Sequence, residues 1–264
     1  MEAQMQQAMK VAEEARQKLV KEETERRILF NKYQELKGNI RVMCRVRPTL
    51  ENAESVDATI VFPDEATSSS QIDITGPEEK SSLGVTSRKT IPFEFDRVFG
   101  PRVENEEVFG EISQLVQSAL DGFNVCIFCY GQTGSGKTYT MSSDDGMIPR
   151  ATHMIYDTIK RLEEKSWSYT MEGSFVEVYN EELHDLLSGS MSSGLKDHDL
   201  KKKLEIRHDE LRKTTTVLNC KTLTHLLQYS LGGNSKTLMF VMVHNTHIGT
   251  AKSTKKIKDR VSDA

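Results

Sequence analysis

The run Gly131-Gln132-Thr133-Gly134-Ser135-Gly136-Lys137-Thr138 follows an apolar stretch, Val125-Cys126-Ile127-Phe128-Cys129-Tyr130, and restricts the chain more than any other segment. It matches the phosphate-binding loop pattern at each defined position. Glycines there let the backbone wrap a polyphosphate with its N–H groups inward, and a helix opening behind the loop adds a positive dipole end. Lys137 would reach the outer phosphates as a point charge, and Thr138 would offer a hydroxyl to a magnesium ion, a hard cation that arrives with its nucleotide. The plain alternative is a flexible Gly/Ser/Thr turn, which does not explain the strand-like residues ahead of it.

A chain of 264 residues can bury one sizeable domain and still carry an extension. Its formal charge of −4 argues against wholesale nucleic-acid binding while leaving room for local basic segments facing an acidic partner. No apolar run approaches the roughly 20 residues of a membrane-spanning helix, and the N-terminus is polar, so an intracellular, soluble protein is expected. Cys44, Cys126, Cys129 and Cys220 are too scattered for a disulfide scaffold. Cys126 and Cys129 form a CxxC, but strand residues three apart point to opposite faces, so they read as small buried hydrophobes rather than metal ligands.

Residues 1–37 lack Gly and Pro and are rich in helix formers. Met1, Met5, Ala8, Ala12, Ala15, Leu19, Glu22, Arg26, Leu29, Tyr33 and Leu36 alternate in steps of four and three, a coiled-coil seam weakened by its small and charged members. The rival is a lone amphipathic helix. Gly38 ends it, and Ile40 to Arg47 alternates apolar and basic residues until Pro48 stops the strand. Arg45, Arg47 and Pro48 could present cations and a flat ring to a nucleotide, or simply form an edge strand with a solvated face.

Residues 49–90 read as a meander of short strands, Ile91–Phe99 as a further alternating stretch, and residues 104–121 as a helix through Val108, Ile112, Leu115, Val116 and Leu120. After the loop come a short helix, a helix from Arg150 to Glu164, a strand from Tyr169 to Tyr179 and a short helix over Glu182–Leu187. Strands alternating with helices predict an α/β layered sheet with helices on both faces, with nucleotide at the carboxyl ends of the strands.

Several of these segments together resemble the kinesin motor domain. They are Arg45-Val46-Arg47-Pro48, Phe93 to Phe99, Gly131 to Met141, Phe175 to Asn180 with Asp185-Leu186-Leu187, and Leu226 to Thr237, in the family's order. The neck-like helix entering through Glu35-Leu36-Lys37-Gly38-Asn39 resembles the C-terminal-motor, minus-end-directed branch, as in fungal spindle kinesins. The resemblance implies that Arg45, Arg47 and Pro48 border an adenine and that Tyr139 stacks near it. It also implies that Gln132 to Thr138, flanked by Gly131, hold the phosphates of ATP or ADP with Mg2+ on Thr138. Its implied partners are the microtubule and, through the neck, an identical or related chain. No membrane or nucleic-acid partner is implied. The implied division is a neck over 1–38, a motor core over 39–243 and a basic tail over 244–264, in a protein of the cytoplasm, the microtubule cytoskeleton and the mitotic spindle.

The family's two switch motifs, Asn-x-x-Ser-Ser-Arg-Ser-His and Asp-Leu-Ala-Gly-Ser-Glu, do not occur in this sequence. The chain passes from Leu204–Asp209 through Thr214–Thr216 to Cys220-Lys221 and continues at Thr222-Leu223-Thr224-His225, which resembles a later microtubule-side element. A second jump falls between Val243 and His244, where the family has a final core helix. Asp144 and Asp145 follow the loop too soon, and Asp185 belongs to another motif, so none replaces the missing Mg2+-side acid. The Lys201–Lys203 cluster, and Lys252, Lys255, Lys256, Lys258 and Arg260, suit an acidic filament or merely solvated loop and tail. The first expectation is therefore a microtubule motor ATPase. Its rivals are a catalytically defective nucleotide- and microtubule-binding module acting as a dimer partner, and an unrelated small P-loop kinase, for which no acceptor signature exists.

Overall fold

The computed structural model describes residues 1–49, 58–80, 84, 86–165, 167–179, 182–187, 205–209, 214–218 and 235–244. The segments 201–203, 220–234 and 245–264, with their basic clusters and the microtubule-side resemblance, lie outside the described residues. Two units are distinguished, the first being Met1–Asn39 and the second beginning at Ile40. The first is one helix, α1 (Glu2–Leu36), which Gly38 terminates at φ 100°. Met5, Leu19, Leu29, Tyr33 and Leu36 of the expected seam are all exposed on it.

The second unit opens with β1 (Ile40–Val46) and continues through β2 (Thr59–Val61), β3 (Gln71–Lys80), β4 (Thr86–Glu94) and β5 (Arg97–Phe99). Helix α2 (Asn105–Leu120) precedes β6 (Val125–Tyr130), the loop, α3 (Lys137–Ser142) and α4 (Met147–Glu163). The remaining strands are β7 (Val176–Tyr179), β8 (Glu182–Asp185), β9 (Glu205–Asp209), β10 (Thr214–Leu218) and β11 (Lys236–Val243).

The principal sheet has the order β5-β1-β11-β6 with all its pairings parallel. The last described strand in sequence thus inserts between β1 and the phosphate-loop strand, and every residue of β11 is buried, as expected of a central parallel strand. Side chains alternate across it. Met239, Val241 and Val243 join Val42, Cys44 and Val46 on one face, while Leu238, Phe240 and Met242 join Met43 on the other.

That second face is covered by α2 and α4 through Val108, Ile112, Leu115, Val116 and Met147. Helix α2 forms where Glu106 and Glu107 suit its N-terminal dipole and the apolar residues recur at helical spacing. The first face is covered by the antiparallel sheet β2-β3-β4, which contributes Ile72, Ile74 and Phe93. Among the described residues, helices of the second unit therefore pack on one face, and a small sheet occupies the other, where the sequence pattern places helices on both. The alternating apolar residues of 58–94 already offered a hydrophobic sheet face, which needs no helix to cover the core.

One expected helix is a strand. Glu182–Asp185 pairs antiparallel with Val176–Tyr179, and the amide of Leu186 extends the ladder to Phe175 O at 2.9 Å. A six-residue helix is poorly stable alone, whereas pairing with Val176–Tyr179 gives the segment backbone ladder bonds. The preceding strand is also shorter than Tyr169–Tyr179, beginning only at Val176. Cys126 and Cys129 do diverge. Cys129 packs with Val125 and Ile127 against the helix-covered face, while Phe128 packs on the other.

Candidate nucleotide site

The loop between β6 and α3 lies at the carboxyl ends of the parallel strands, and its geometry depends on glycine at specific places. A Cβ at Gly131 would lie 2.6 Å from Ser135 Oγ and 2.8 Å from Met242 O, closer than real side chains approach. Gly134 and Gly136 hold φ of 80° and 99°, the left-handed region that costs other residues energy. Lys137 Nζ donates to Gly131 O at 2.7 Å and Gln132 O at 2.8 Å, so the cation is held inside the curl of the loop. At six residues, α3 adds less dipole than the sequence pattern suggests.

Beside the loop is a cleft of about 410 Å³. Arg45, Val46, Arg47 and Pro48 form one wall from the end of β1, and Pro101, Arg102, Val103 and Glu104 form another from the β5–α2 connection. Ser135, Gly136, Tyr139 and Thr140 close it from the loop and α3, and Met242 from β11. Of the sequence-selected residues, Arg45, Arg47, Pro48, Ser135, Gly136 and Tyr139 are thus brought together, while Gly131, Gln132, Thr133, Gly134, Lys137 and Thr138 form the adjoining loop.

The two arginines play different parts. Arg45 is buried, donating to Asn105 Oδ1 at 2.5 Å, Thr140 Oγ1 at 2.8 Å and Val103 O at 3.1 Å, with its guanidinium 5.5 Å from the Tyr139 ring. Burial lowers its pKa, opposed by the fields of Tyr139 and Cys129, and its three bonds to Asn105, Thr140 and Val103 make it a structural part of the wall. Arg47 is half-buried and donates to Gly134 O, bracing the loop from outside. Burial pushes the Cys129 thiol up to about 12, against the pull of Arg45 and Lys137, which suits packing rather than chemistry.

Two observations test whether a nucleotide polyphosphate fits. Ser135 Oγ is fully buried with no hydrogen-bond partner among the described residues, and the lack of a side chain at Gly131 lets the loop backbone close tightly on that hydroxyl and on Met242. An orphaned hydroxyl at such a place is costly unless a ligand or water supplies a partner. Thr138 is exposed at the start of α3, where its hydroxyl can reach a cation. The residues fit the group.

A family model described as microtubule binding matches residues 19–187. The chain belongs to the kinesin motor family, in its C-terminal-motor branch. Kinesin-like protein klpA of Emericella nidulans is 43% identical over 390 aligned residues, covering 97% of this chain and 50% of that protein. Kinesin-like protein 2 of Schizosaccharomyces pombe is 55% identical over 203 residues, covering 77% of this chain and 24% of its own length. A solved structure of the C-terminal motor and motor homology domain of Kar3Vik1, fused to a synthetic heterodimeric coiled coil, matches with a TM-score of 0.77 at 28% identity, over 98% of this chain and 94% of that one. The chain thus spans half or less of the length of these curated relatives. An alignment of 390 columns to a kinesin chain of 264 residues also leaves more than a hundred columns in which this chain has no residue.

Sequence reasoning missed the second wall of the kinesin cleft, residues 101–104, together with Asn105, Thr140, Met242 and His244. Pro101-Arg102 directly after a strand and before a helix was the available signal, since parallel sheets bind ligands at such connections.

Proposed function

We propose that this chain is a nucleotide-holding module of the kinesin motor family that binds ATP or ADP with Mg2+ and engages microtubules, with little hydrolysis of its own. The observation that carries the nucleotide reading is the buried, unpartnered Ser135 hydroxyl beside Gly131. In this reading the loop amides and Lys137 hold the phosphates, Thr138 offers its hydroxyl to Mg2+, and Arg47, Pro48 and Tyr139 border the base while Arg45 stiffens the wall. Mg2+ neutralises charge on the phosphates and so supplies electrostatic stabilisation for phosphoryl transfer. Positioning an attacking water is the task of the family's switch motifs, whose sequences do not occur here.

Microtubule engagement is supported by the matched microtubule-binding model, and minus-end direction and a cytoplasmic, spindle setting for the parent motor by its branch. Pairing through α1, with an identical or related chain, is supported by the exposed seam. The rival reading is a working motor ATPase, favoured by the intact phosphate loop.

Equilibrium titration with fluorescent Mg-ADP, followed by steady-state phosphate release with and without microtubules, separates them. Saturable binding with turnover near the uncatalysed background is expected. Motor-like, microtubule-stimulated turnover would establish the rival, and failure to bind nucleotide would remove both.

A further inference from the structure

Gln132 is the point where three parts of the phosphate loop's surroundings meet. Its backbone oxygen accepts from Lys137 Nζ at 2.8 Å and from the Ser135 amide at 3.2 Å, and its side-chain amide nitrogen meets the ring Nε2 of His244. His244 is 112 residues away in sequence and comes immediately after β11.

The mount of that imidazole is rigid. β11 is buried throughout, Val243 O accepts from the Arg47 amide at 2.9 Å, and Met242 O stands 2.8 Å from where a Gly131 Cβ would be. The loop it touches is the opposite in character, with left-handed glycines at Gly134 and Gly136 that leave its backbone little conformational restraint of its own. A short residue delivered from a packed strand is a means of fixing such a loop.

We propose that His244 is a positioning residue for the phosphate loop, its imidazole bonding the Gln132 side chain and thereby holding the loop in the form that cradles a polyphosphate. The inference rests on the nucleotide reading of the same site. Val243 leads directly from the buried strand to His244, so the junction itself sets a histidine against the loop. A neutral ring accepts at Nε2 from the amide N–H of Gln132.

Hydrogen exchange of the loop amides in the nucleotide-free full chain reads the effect without depending on ligand. His244→Ala is expected to speed exchange across residues 131–136 by about five-fold, the order expected for one lost side-chain hydrogen bond, and to weaken Mg-ADP binding by a similar factor. His244→Gln, which keeps an acceptor, is expected to recover most of both. Gln132→Ala should reproduce the loss, and the double variant should add nothing to it. Unchanged loop exchange in His244→Ala, or additive effects in the double variant, would overturn the proposal. If His244→Ala does not fold, Gln132→Ala decides by the same exchange, and wild-type rates there overturn it. Loop exchange that follows the prediction in a chain that binds no nucleotide would uphold the positioning role and remove the functional reading alone.

Discussion

Arg45 donates to the Thr140 hydroxyl at 2.8 Å, a buried bond between residues 95 apart in sequence. With Asn105 Oδ1 and Val103 O on the same guanidinium, one side chain joins the end of β1, the helix behind the phosphate loop and the far wall of the cleft. The cleft is therefore shaped by a polar node in a region where the sheet ends and apolar packing thins out.

Replacing Arg45 by Met keeps much of the volume but leaves Asn105 Oδ1 and Thr140 Oγ1 without their donor. A loss of about 2–3 kcal/mol is expected from stranded buried acceptors. Arg45→Lys should recover only part of it, because an ammonium cannot span a fork of three acceptors. Urea unfolding of the three proteins measures this, and coincident midpoints would show that the node bears no stability.

Gly131→Ala introduces a Cβ that meets Ser135 Oγ and the Met242 backbone, neither of which can retreat far within a buried strand and a tight loop. The expected cost is about 1–3 kcal/mol of overpacking, with loss of Mg-ADP binding greater than the stability loss explains. Thermal melts paired with titration distinguish the two effects. Wild-type affinity in a folded Gly131→Ala chain would mean that the loop does not close on its ligand there.

How far the fold was legible followed the range of the interaction. The phosphate loop, β1, α2 and α4 declare themselves through local pattern, because glycine placement and apolar period act within a few residues. The segment Glu182–Asp185 did not, since its choice of strand over helix depends on the pairing with Val176–Tyr179 rather than on its own propensity. The insertion of Lys236–Val243 between β1 and β6 was similarly hidden. The strand itself was not read from the sequence, and its six apolar residues after Lys236-Thr237 do not name the strands beside it. For the candidate site, the loop residues were selected from type and spacing, whereas Asn105, Thr140 and His244 are ordinary in sequence and reach the cleft or the loop only because of where the sheet brings them.

Asp64 organises the turn before β3. Its carboxylate accepts from the Ser68 hydroxyl, from the Ser70 amide at 2.8 Å and from the Gln71 amide at 2.9 Å, and these bonds, Ser68 first, hold its pKa well below the ordinary 3.8. A depressed folded-state pKa adds stability above the unfolded value that is lost as pH falls through the folded one. Asp64→Ala should therefore be less stable than the parent near neutrality, with the gap narrowing as pH drops below 3.8. Denaturant midpoints across that range check the sign. A gap that widens in acid would mean that the turn is held by something other than the ionised carboxylate.

The seam of α1 carries Glu22 and Arg26 between Leu19 and Leu29. In a parallel, in-register pair of identical helices each would face its own copy, setting carboxylate against carboxylate and guanidinium against guanidinium in consecutive core layers, an arrangement that weakens self-pairing. Glu22 already has an outlet along its own helix, with Lys18 Nζ at 3.9 Å, so an exposed monomeric helix has less reason to pair. Substituting leucine at both positions would join the apolar residues on either side into an uninterrupted stripe. Self-association of the full chain is then expected to tighten by at least about ten-fold, equivalent to roughly 1.4 kcal/mol, as read by sedimentation equilibrium. Reversing the two charges in a second, tagged copy, as Glu22→Arg and Arg26→Glu, should instead favour the mixed pair over either homodimer. If neither change alters association, the seam is not where α1 meets a partner, and the exposed Leu29, Tyr33 and Leu36 must serve another surface.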